Sequence, residues 1–217
     1  MSIRLPDTTQ HIAFAGRTGS GKTVAALELL ASRDFHRMPW VIVDHKRDPN
    51  IAELPAQPLH LNALILPRAG LWVVRPSMSE QDRKTLNDFF ERCFERENIG
   101  LYIDEGHLVG PSSGIRNILV AGRSKHVPLV WCSQRAHWID SFIWSQAAFY
   151  RIFDLQTKND IKRFEENVPV KWKKPAEYHS YYYDVSAGKT FYLKPAAPLA
   201  ETVLSLDRLL KTQYRAV

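Results

Sequence analysis

The chain has 217 residues, a length that fits one domain or one domain with a small appendage. Its 45% hydrophobic and 24% charged residues exclude disordered, collagen-like and low-complexity proteins. No stretch reaches the ~20 apolar residues of a membrane helix, and residues 1–10 contain no apolar secretory segment. Lysine and arginine exceed the acidic residues by 29 to 23, a net charge of +6 that suits a polyanionic partner as well as plain solubility.

Short β-branched runs alternate with longer amphipathic segments, a pattern that predicts an α/β fold with a mainly parallel sheet flanked by helices. The predicted strands are residues 11–15, 40–43, 71–74, 101–103, 127–132 and 150–155. The predicted helices are residues 21–33, 79–98, 115–125, 139–148 and 160–167. Residues 49–68 carry four prolines and are predicted to be irregular. A hairpin of strands 181–185 and 190–193 and a helix over 202–214 are predicted to close the chain.

The segment that follows the first predicted strand has the spacing of a phosphate-binding turn, G-x-x-x-x-G-K-[ST]. Its glycines allow successive backbone N–H groups to point at phosphate oxygens, and the next helix directs its positive end at the same anion. Lys22 is expected to reach the β- and γ-phosphates of ATP, and Thr23 to place a hydroxyl on Mg²⁺. The residues predicted to bind the nucleotide are Gly16, Arg17, Thr18, Gly19, Ser20, Gly21, Lys22 and Thr23.

Two carboxylates, Asp104 and Glu105, end the predicted strand 101–103. The first is expected to assist Mg²⁺ through water, and the second to orient or deprotonate the water that attacks the nucleotide. The alternative is a pair of solvated loop acids. The phosphate-binding turn favours the catalytic interpretation.

Two further polar residues are candidates for catalysis. Gln134 ends the strand 127–132, where its amide could contact the γ-phosphate, although it could also be an ordinary polar strand end. Arg123, late in the helix predicted at 115–125, is a candidate arginine finger for a neighbouring subunit, because its planar charge suits a developing γ-phosphate charge. The alternative is a solvated arginine near a helix end, with Arg135 and Arg151 as the next candidates for the finger.

Four stretches give the chain a resemblance to the FtsK–HerA superfamily of P-loop translocating ATPases. They are the phosphate-binding turn and the segments 41–48 (VIVDHKRD), 101–107 (LYIDEGH) and 122–135, which includes Gly122-Arg123 and Ser133-Gln134. The resemblance covers about residues 10–160. His45 and Arg47 replace the proline and glycine of the superfamily pattern D-P-K-G-[DE], so Lys46 and Asp48 receive no role from it.

The small size of the chain makes it most similar, within that superfamily, to the genome-packaging ATPases of tailless, often membrane-containing icosahedral viruses. The resemblance implies a RecA-like (ASCE) fold in a single domain over residues 1–217, with a motor core at about 10–160 and a C-terminal hairpin and helix at about 175–217. It implies a homo-oligomeric ring, a pentamer or hexamer, that uses ATP and Mg²⁺ to pump double-stranded DNA into a preformed capsid. The catalytic residues that it implies are Lys22, Glu105, Gln134 and Arg123, with Thr23 and Asp104 at the metal.

The same resemblance implies a capsid vertex or portal protein as partner and a location in the host cytoplasm or the virion. A translocase must grip DNA phosphates independently of sequence. Two segments qualify: the loop 110–116 and the basic segment 158–174, which also contains Trp172 and three acids. Either segment could instead be a solvated surface.

Two other functions remain open at the level of sequence. A Zot-like phage extrusion ATPase shares this core but usually carries a membrane span. A P-loop kinase for a small molecule would need an arginine-rich lid and no separate base such as Glu105. Stimulation of ATP turnover by duplex DNA separates the motor from the kinase.

Overall fold

The structure, a computed structural model, describes residues 3–77, 79–110 and 112–214. The strands are β1 Ile12–Ala15, β2 Trp40–Asp44, β3 Gln57–Pro58, β4 Leu71–Val74, β5 Gly100–Asp104, β6 Leu129–Ser133, β7 Phe149–Ile152, β8 Ser180–Asp184 and β9 Lys189–Leu193. The helices are α1 Lys22–Leu30, α2 Pro49–Ala52, α3 Glu80–Arg96, α4 Ser113–Ala121, α5 Ser141–Gln146, α6 Lys158–Asn167 and α7 Leu199–Tyr214.

The strands form one sheet in the order β3-β4-β2-β5-β6-β1-β7-β8-β9. Pairing is parallel from β3 to β7 and antiparallel from β7 to β9, so the C-terminal hairpin extends the sheet at one side. Strand β6 lies between β1 and β5, and the carboxyl ends of these three strands meet at one edge of the sheet. The predicted mainly parallel α/β fold is confirmed.

Helices cover both faces of the sheet, as parallel sheets require. Because side chains alternate along a strand, Ala13 and Ala15 of β1 face one hydrophobic cluster while Ile12 and Phe14 face the other. The first cluster includes buried residues of α3, α4, α5 and α6, and the second includes those of α1 and α7. Within the described residues, no helix combines the length and apolar character needed to cross a membrane.

The predicted elements are largely confirmed, but the helix predicted at 115–125 ends at Ala121. A Cβ on Gly122 would lie 2.3 Å from the carbonyl oxygen of Ile118 and 2.8 Å from that of Val127, so only glycine fits this close approach. The Val127 N–H donates to the Gly122 carbonyl at 2.7 Å, which turns the chain directly towards β6. Arg123 therefore lies in a turn after the helix, and the prediction that it lies late in the helix is wrong.

The proline-rich segment 49–68 is mostly irregular, as predicted, but contains the short helix α2 and the two-residue strand β3. Asp48 caps α2 by accepting from the Asn50 N–H at 2.8 Å, and Pro49 occupies the first helical position, where its missing N–H costs nothing. Other predicted helices end earlier than periodicity alone indicates, since α1 stops at Leu30 and α5 spans six residues.

Candidate active site

Residues 16–23, the phosphate cradle, connect β1 to α1 in a turn that is fixed by its neighbours in the sheet. The Gly16 N–H donates to the Ser133 carbonyl of β6 at 3.3 Å, and the Arg17 N–H donates to the Asp154 carbonyl at 2.9 Å. Gly19 and Gly21 have φ of +75° and +94°, a conformation that favours glycine. The cradle is therefore a preformed concave backbone at the amino end of α1.

Lys22 and Ser20 are buried in the cradle with hydrogen-bonding capacity to spare. The Lys22 ammonium donates to the Arg17 carbonyl at 3.2 Å, although an ammonium carries three N–H donors. Burial lowers the pKa of Lys22, and the nearby Glu105 charge opposes that shift. The buried Ser20 hydroxyl has no hydrogen-bond partner. A polyphosphate would supply acceptors to both groups, so the cradle fits the triphosphate of a nucleotide.

The two predicted carboxylates are buried at the end of β5, which is unusual for acidic residues. Asp104 accepts from the Tyr102 hydroxyl at 3.0 Å. Burial, followed by the adjacent Glu105 charge, raises the pKa of Asp104 to about 7. Glu105 has φ of +51°, a strained conformation for a side chain of this kind, and such strain concentrates at functional sites.

Glu105 is the centre of a polar network that joins three strand ends. Its Oε1 accepts from Gln134 Nε2 at 2.7 Å and from Lys46 Nζ at 3.1 Å. Its buried Oε2 has no hydrogen-bond partner and lies 3.4 Å from His107 Nδ1. Burial lowers the pKa of His107, so this imidazole is mainly uncharged near neutral pH. The structure thus brings together Glu105 and Gln134, as the sequence predicts, and adds Lys46.

The sequence assigns no role to Lys46, and its position follows from the strand order. Strand β2 pairs with β5 so that Asp44 lies opposite Asp104, which places the turn after β2 beside Glu105. Asp44 fixes that turn by accepting from the Asp48 N–H at 2.9 Å and from Arg75 Nε at 3.1 Å. The D-x-K spacing after β2 is the sequence signal for Lys46. It does not show that β5, which carries Glu105, is the neighbouring strand.

Thr23 and Asp104 are the residues predicted to hold Mg²⁺. The charge of Asp104 acts on the Lys22 ammonium, so this carboxylate lies near the cradle, and Thr23 follows Lys22 in the chain. Hydroxyl and carboxylate oxygens are the hard donors that Mg²⁺ prefers. Across the described residues, no group of three or more His, Cys, Asp or Glu is arranged to hold a metal. One hydroxyl and one carboxylate leave positions around the cation for phosphate oxygens and water.

Comparison with known proteins decides the family. The chain is 32% identical over 218 residues to the DNA packaging ATPase P9 of Enterobacteria phage PRD1, a match that covers 94% of this chain and 95% of that protein. The chain belongs to this family of viral genome-packaging ATPases. No protein-family model matches it.

Solved structures agree in fold with this family. The genome-packaging NTPase B204 of Sulfolobus turreted icosahedral virus 2, in complex with ATPγS, matches 88% of this chain and 100% of its own chain with a TM-score of 0.70 at 18% identity. The EssC ATPases 2 and 3 of Geobacillus thermodenitrificans match 96% of this chain and 45% of theirs, with a TM-score of 0.65 at 13% identity. The identification from sequence as a viral genome-packaging ATPase is confirmed, and these structures support the expected fold.

Arg123 is a predicted site residue, but in the structure it lies away from the cradle of its own subunit. It is exposed, and its charge acts on Asp7 and His11, which precede β1 at the opposite edge of the sheet. Arg135 and Arg151 have internal partners, since Arg135 pairs with Asp160 at 3.2 Å and buried Arg151 donates to Ser180 at 3.2 Å. Of these three arginines, Arg123 is therefore the most accessible to a neighbouring subunit.

One cavity borders the Glu105 network at His107, and another opens on the cradle. The larger, about 600 Å³, is lined by Gly106, His107 and Trp131 together with residues of α4 and α5, and it contains no cradle residue. The smaller, about 280 Å³, opens directly on the cradle through Arg17, Gly19 and Ser20. The nucleotide is expected at the cradle rather than in the larger cavity, because the buried Lys22 ammonium and the Ser20 hydroxyl without a partner are there.

Proposed function

We propose that this chain is the ATP-hydrolysing motor that translocates double-stranded DNA into a viral procapsid. The observation that carries the proposal is the Gln134–Glu105 hydrogen bond of 2.7 Å beside a P-loop cradle, in a chain of the packaging ATPase family. A carboxylate base serves hydrolysis and phosphoryl transfer alike, so membership of the packaging ATPase family is what favours water over an acceptor substrate.

In this mechanism, the backbone amides of the cradle and Lys22 hold the β- and γ-phosphates of ATP. The water oxygen bonds to the γ-phosphorus as the bond to the β,γ-bridging oxygen breaks, so ADP leaves with that electron pair. The water proton passes to the Glu105 carboxylate, whose Oε1 accepts hydrogen bonds from Gln134 and Lys46. Gln134 orients Glu105 and can contact the γ-phosphate. Mg²⁺ held by Thr23 and Asp104 would neutralise charge on the phosphate oxygens.

The proposed assembly is a homo-oligomeric ring, a pentamer or hexamer, in which Arg123 of one subunit acts on the ATP of the next. Its exposure and its distance from its own cradle support a role across the interface rather than within the subunit. An arginine supplied in this way contributes about 10³–10⁵ in rate. The partners of the ring would be DNA and a capsid vertex or portal protein, in the host cytoplasm or the virion.

The two candidate DNA contacts are on the surface. In the segment 158–174, Lys162 and Lys171 are well exposed, but each lies within 4 Å of a glutamate, at 3.9 Å and 3.6 Å. Trp172 packs against the rings of Phe164 and Tyr181 at 5.1 Å and 5.8 Å, which favours phosphate contact over base stacking. The segment predicted as the loop 110–116 is a loop only up to residue 112, since residues 113–116 are the first turn of α4. Arg116 lies over Phe142, and residue 111 falls outside the described part of the chain.

The decisive experiment measures ATP turnover with and without duplex DNA, with Lys22→Ala as the control. A packaging motor is expected to accelerate when DNA is added, and the control is expected to lose turnover under both conditions. ATP turnover that is unchanged by DNA but requires a small-molecule acceptor would identify a kinase instead. Stimulation by single strands or by protein alone would favour an extrusion ATPase.

A mixing experiment tests the proposed role of Arg123 in the ring. Subunits with Arg123→Ala are mixed with Glu105→Gln subunits, each inactive on its own. Some interfaces of a mixed ring then join an intact Glu105 site to an intact Arg123, so activity partly returns. No recovery in a mixture that still assembles, as judged by size-exclusion chromatography with light scattering, contradicts the finger.

A further inference from the structure

The cavity of about 280 Å³ beside the cradle is built from two parts of the chain that lie far apart in sequence. The cradle and Asp154 form one wall, and the segment 174–179, between α6 and β8, forms the other. Ligand pockets span about 300–1,000 Å³, so this cavity of about 280 Å³ lies just below that range and suits a group the size of a nucleobase.

The second wall is rigid before any ligand binds. The Ala176 N–H donates to the Tyr192 hydroxyl of β9 at 2.8 Å, and the His179 N–H donates to the Ala176 carbonyl at 3.0 Å. The His179 ring stacks on the Tyr192 ring with centroids 5.4 Å apart. Lys174 and Arg17 both approach Asp154 Oδ2, at 3.7 Å and 2.7 Å, which ties this wall to the cradle.

Tyr178 presents an aromatic ring at the mouth of the cradle. It has φ of +58°, an uncommon conformation for a tyrosine, and the strain persists because its neighbours on both sides are hydrogen-bonded. Its ring lies beside Gly21, at a distance that would bring Tyr178 Cδ1 to 3.4 Å from a Cβ placed there. Nevertheless, Tyr178 is 49% exposed, which leaves ring surface available for a ligand.

The cavity also contains a polar group that lacks a partner. Ser20 is 4% exposed, lines the cavity and has a buried hydroxyl without a hydrogen-bond partner. Buried hydroxyls in proteins are normally hydrogen-bonded, so this group fits the phosphates of a nucleotide, and its place in the lining shows that the cavity is continuous with the phosphate cradle.

We infer that this cavity is the nucleobase subsite of the enzyme, with Tyr178 as the residue on which the base stacks. The inference rests on the proposed function, since the cradle must hold the phosphates for the base to reach the segment 174–179. Stacking on an aromatic ring tolerates different bases, because each base has a π-face. We therefore expect Tyr178 to strengthen nucleotide binding without strong selection among bases.

The test compares two ligands that share a diphosphate, ADP with a nucleoside and pyrophosphate without one, by calorimetry on the full chain. Tyr178→Asn removes the ring but keeps a residue that tolerates positive φ. We expect the Kd of ADP to rise about tenfold, in line with the loss of one base–aromatic stack, and that of pyrophosphate to stay within about twofold. Tyr178→Phe keeps the ring and is expected to bind both ligands like the unmodified protein.

The other possible results of this experiment show which part of the inference is wrong. An unchanged Kd for ADP in Tyr178→Asn, or an equal loss for ADP and pyrophosphate, overturns the subsite while leaving the cradle as the phosphate site. The equal loss would mean that the ring merely supports the cradle through Gly21. If the unmodified protein binds neither ligand, the proposed function itself fails and the subsite with it.

Discussion

The phosphate cradle and the Glu105 network lie at the same edge of the sheet but are assembled in different ways. The cradle is one contiguous turn, residues 16–23, whose backbone supplies the binding groups. The network combines side chains from the ends of three strands, with Lys46 after β2, Glu105 after β5 and Gln134 after β6. The cradle therefore depends on local sequence, whereas the network depends on strand order and on the burial of charge. Binding and hydrolysis should consequently be separable by mutation.

Replacement of Glu105 by glutamine should separate the two regions most sharply. The amide is nearly isosteric but cannot accept the water proton, so kcat should fall by about 10³-fold. The Kd of ATP should change little, because the cradle is intact. Phosphate release and calorimetry measure the two effects. A kcat within tenfold of the unmodified enzyme would remove Glu105 from the role of base.

Loss of Gln134 tests the internal geometry of the network. Gln134→Ala removes the 2.7 Å hydrogen bond to Glu105 Oε1, and a displaced catalytic group can cost about 100-fold in kcat. ATP affinity should again be retained. If the variant lost affinity and kept kcat, Gln134 would belong functionally to the cradle instead.

Lys46 should have a smaller effect because its side chain is 44% exposed and its pairing with Glu105 is partly screened by water. We expect Lys46→Met to lower kcat about tenfold through looser positioning of Glu105. Lys211→Met, which removes an exposed lysine paired with Asp207 on α7, is the matched control and should leave kcat unchanged. Equal kcat values for the two variants would show that Lys46 contributes no positioning.

The raised pKa of Asp104, about 7, predicts that nucleotide binding with Mg²⁺ weakens in mild acid. Below pH 7 the carboxyl is increasingly protonated, and a cation must displace that proton before it binds. Between pH 8 and pH 6, the Kd of ADP with Mg²⁺ should rise about tenfold, because one pH unit below the pKa leaves about a tenth ionised. Asp104→Asn corrects for titration of ADP itself. A rise of the same size in that variant would exclude Asp104 as the titrating group.

The same buried carboxyl should reduce the stability of the nucleotide-free protein. Its pKa in the folded state exceeds the value of about 3.9 in an unfolded chain, so the folded state binds the extra proton between these values. The free energy of unfolding is therefore not reduced by this carboxyl below pH 4, and it falls as the pH rises through 7. Asp104→Asn, which still accepts from Tyr102, should therefore raise the Tm by about 5 °C at pH 8. At pH 4 the two proteins should melt alike, and an equal gain at both values would refute the charge argument.

The sequence predicts the cradle well because one contiguous segment contains all of its groups. Asp104, Glu105 and Gln134 are predictable for a related reason, since each directly follows an apolar strand whose end must lie at the sheet edge. The contact of Lys46 with Glu105 could not be predicted, because it requires that β2 lie next to β5 in the sheet.

The remaining differences also depend on tertiary structure. The helix before Arg123 stops early because the carbonyl of Val127 approaches Gly122 too closely for a side chain, and periodicity does not report such a contact. The wall at 174–179 reaches the cradle because Asp154, after β7, holds both Arg17 and Lys174. Neither the ion pairs nor the positive φ of Tyr178 has a signal in the sequence.

A crystal structure with Mg²⁺ and a non-hydrolysable ATP analogue tests the central claim most directly. We expect the triphosphate to lie against the amides of residues 16–23 and Lys22, with Glu105 facing a water in line with the γ-phosphorus. A triphosphate bound away from the cradle, or Glu105 directed into bulk solvent in an assembled ring, would contradict this account of hydrolysis.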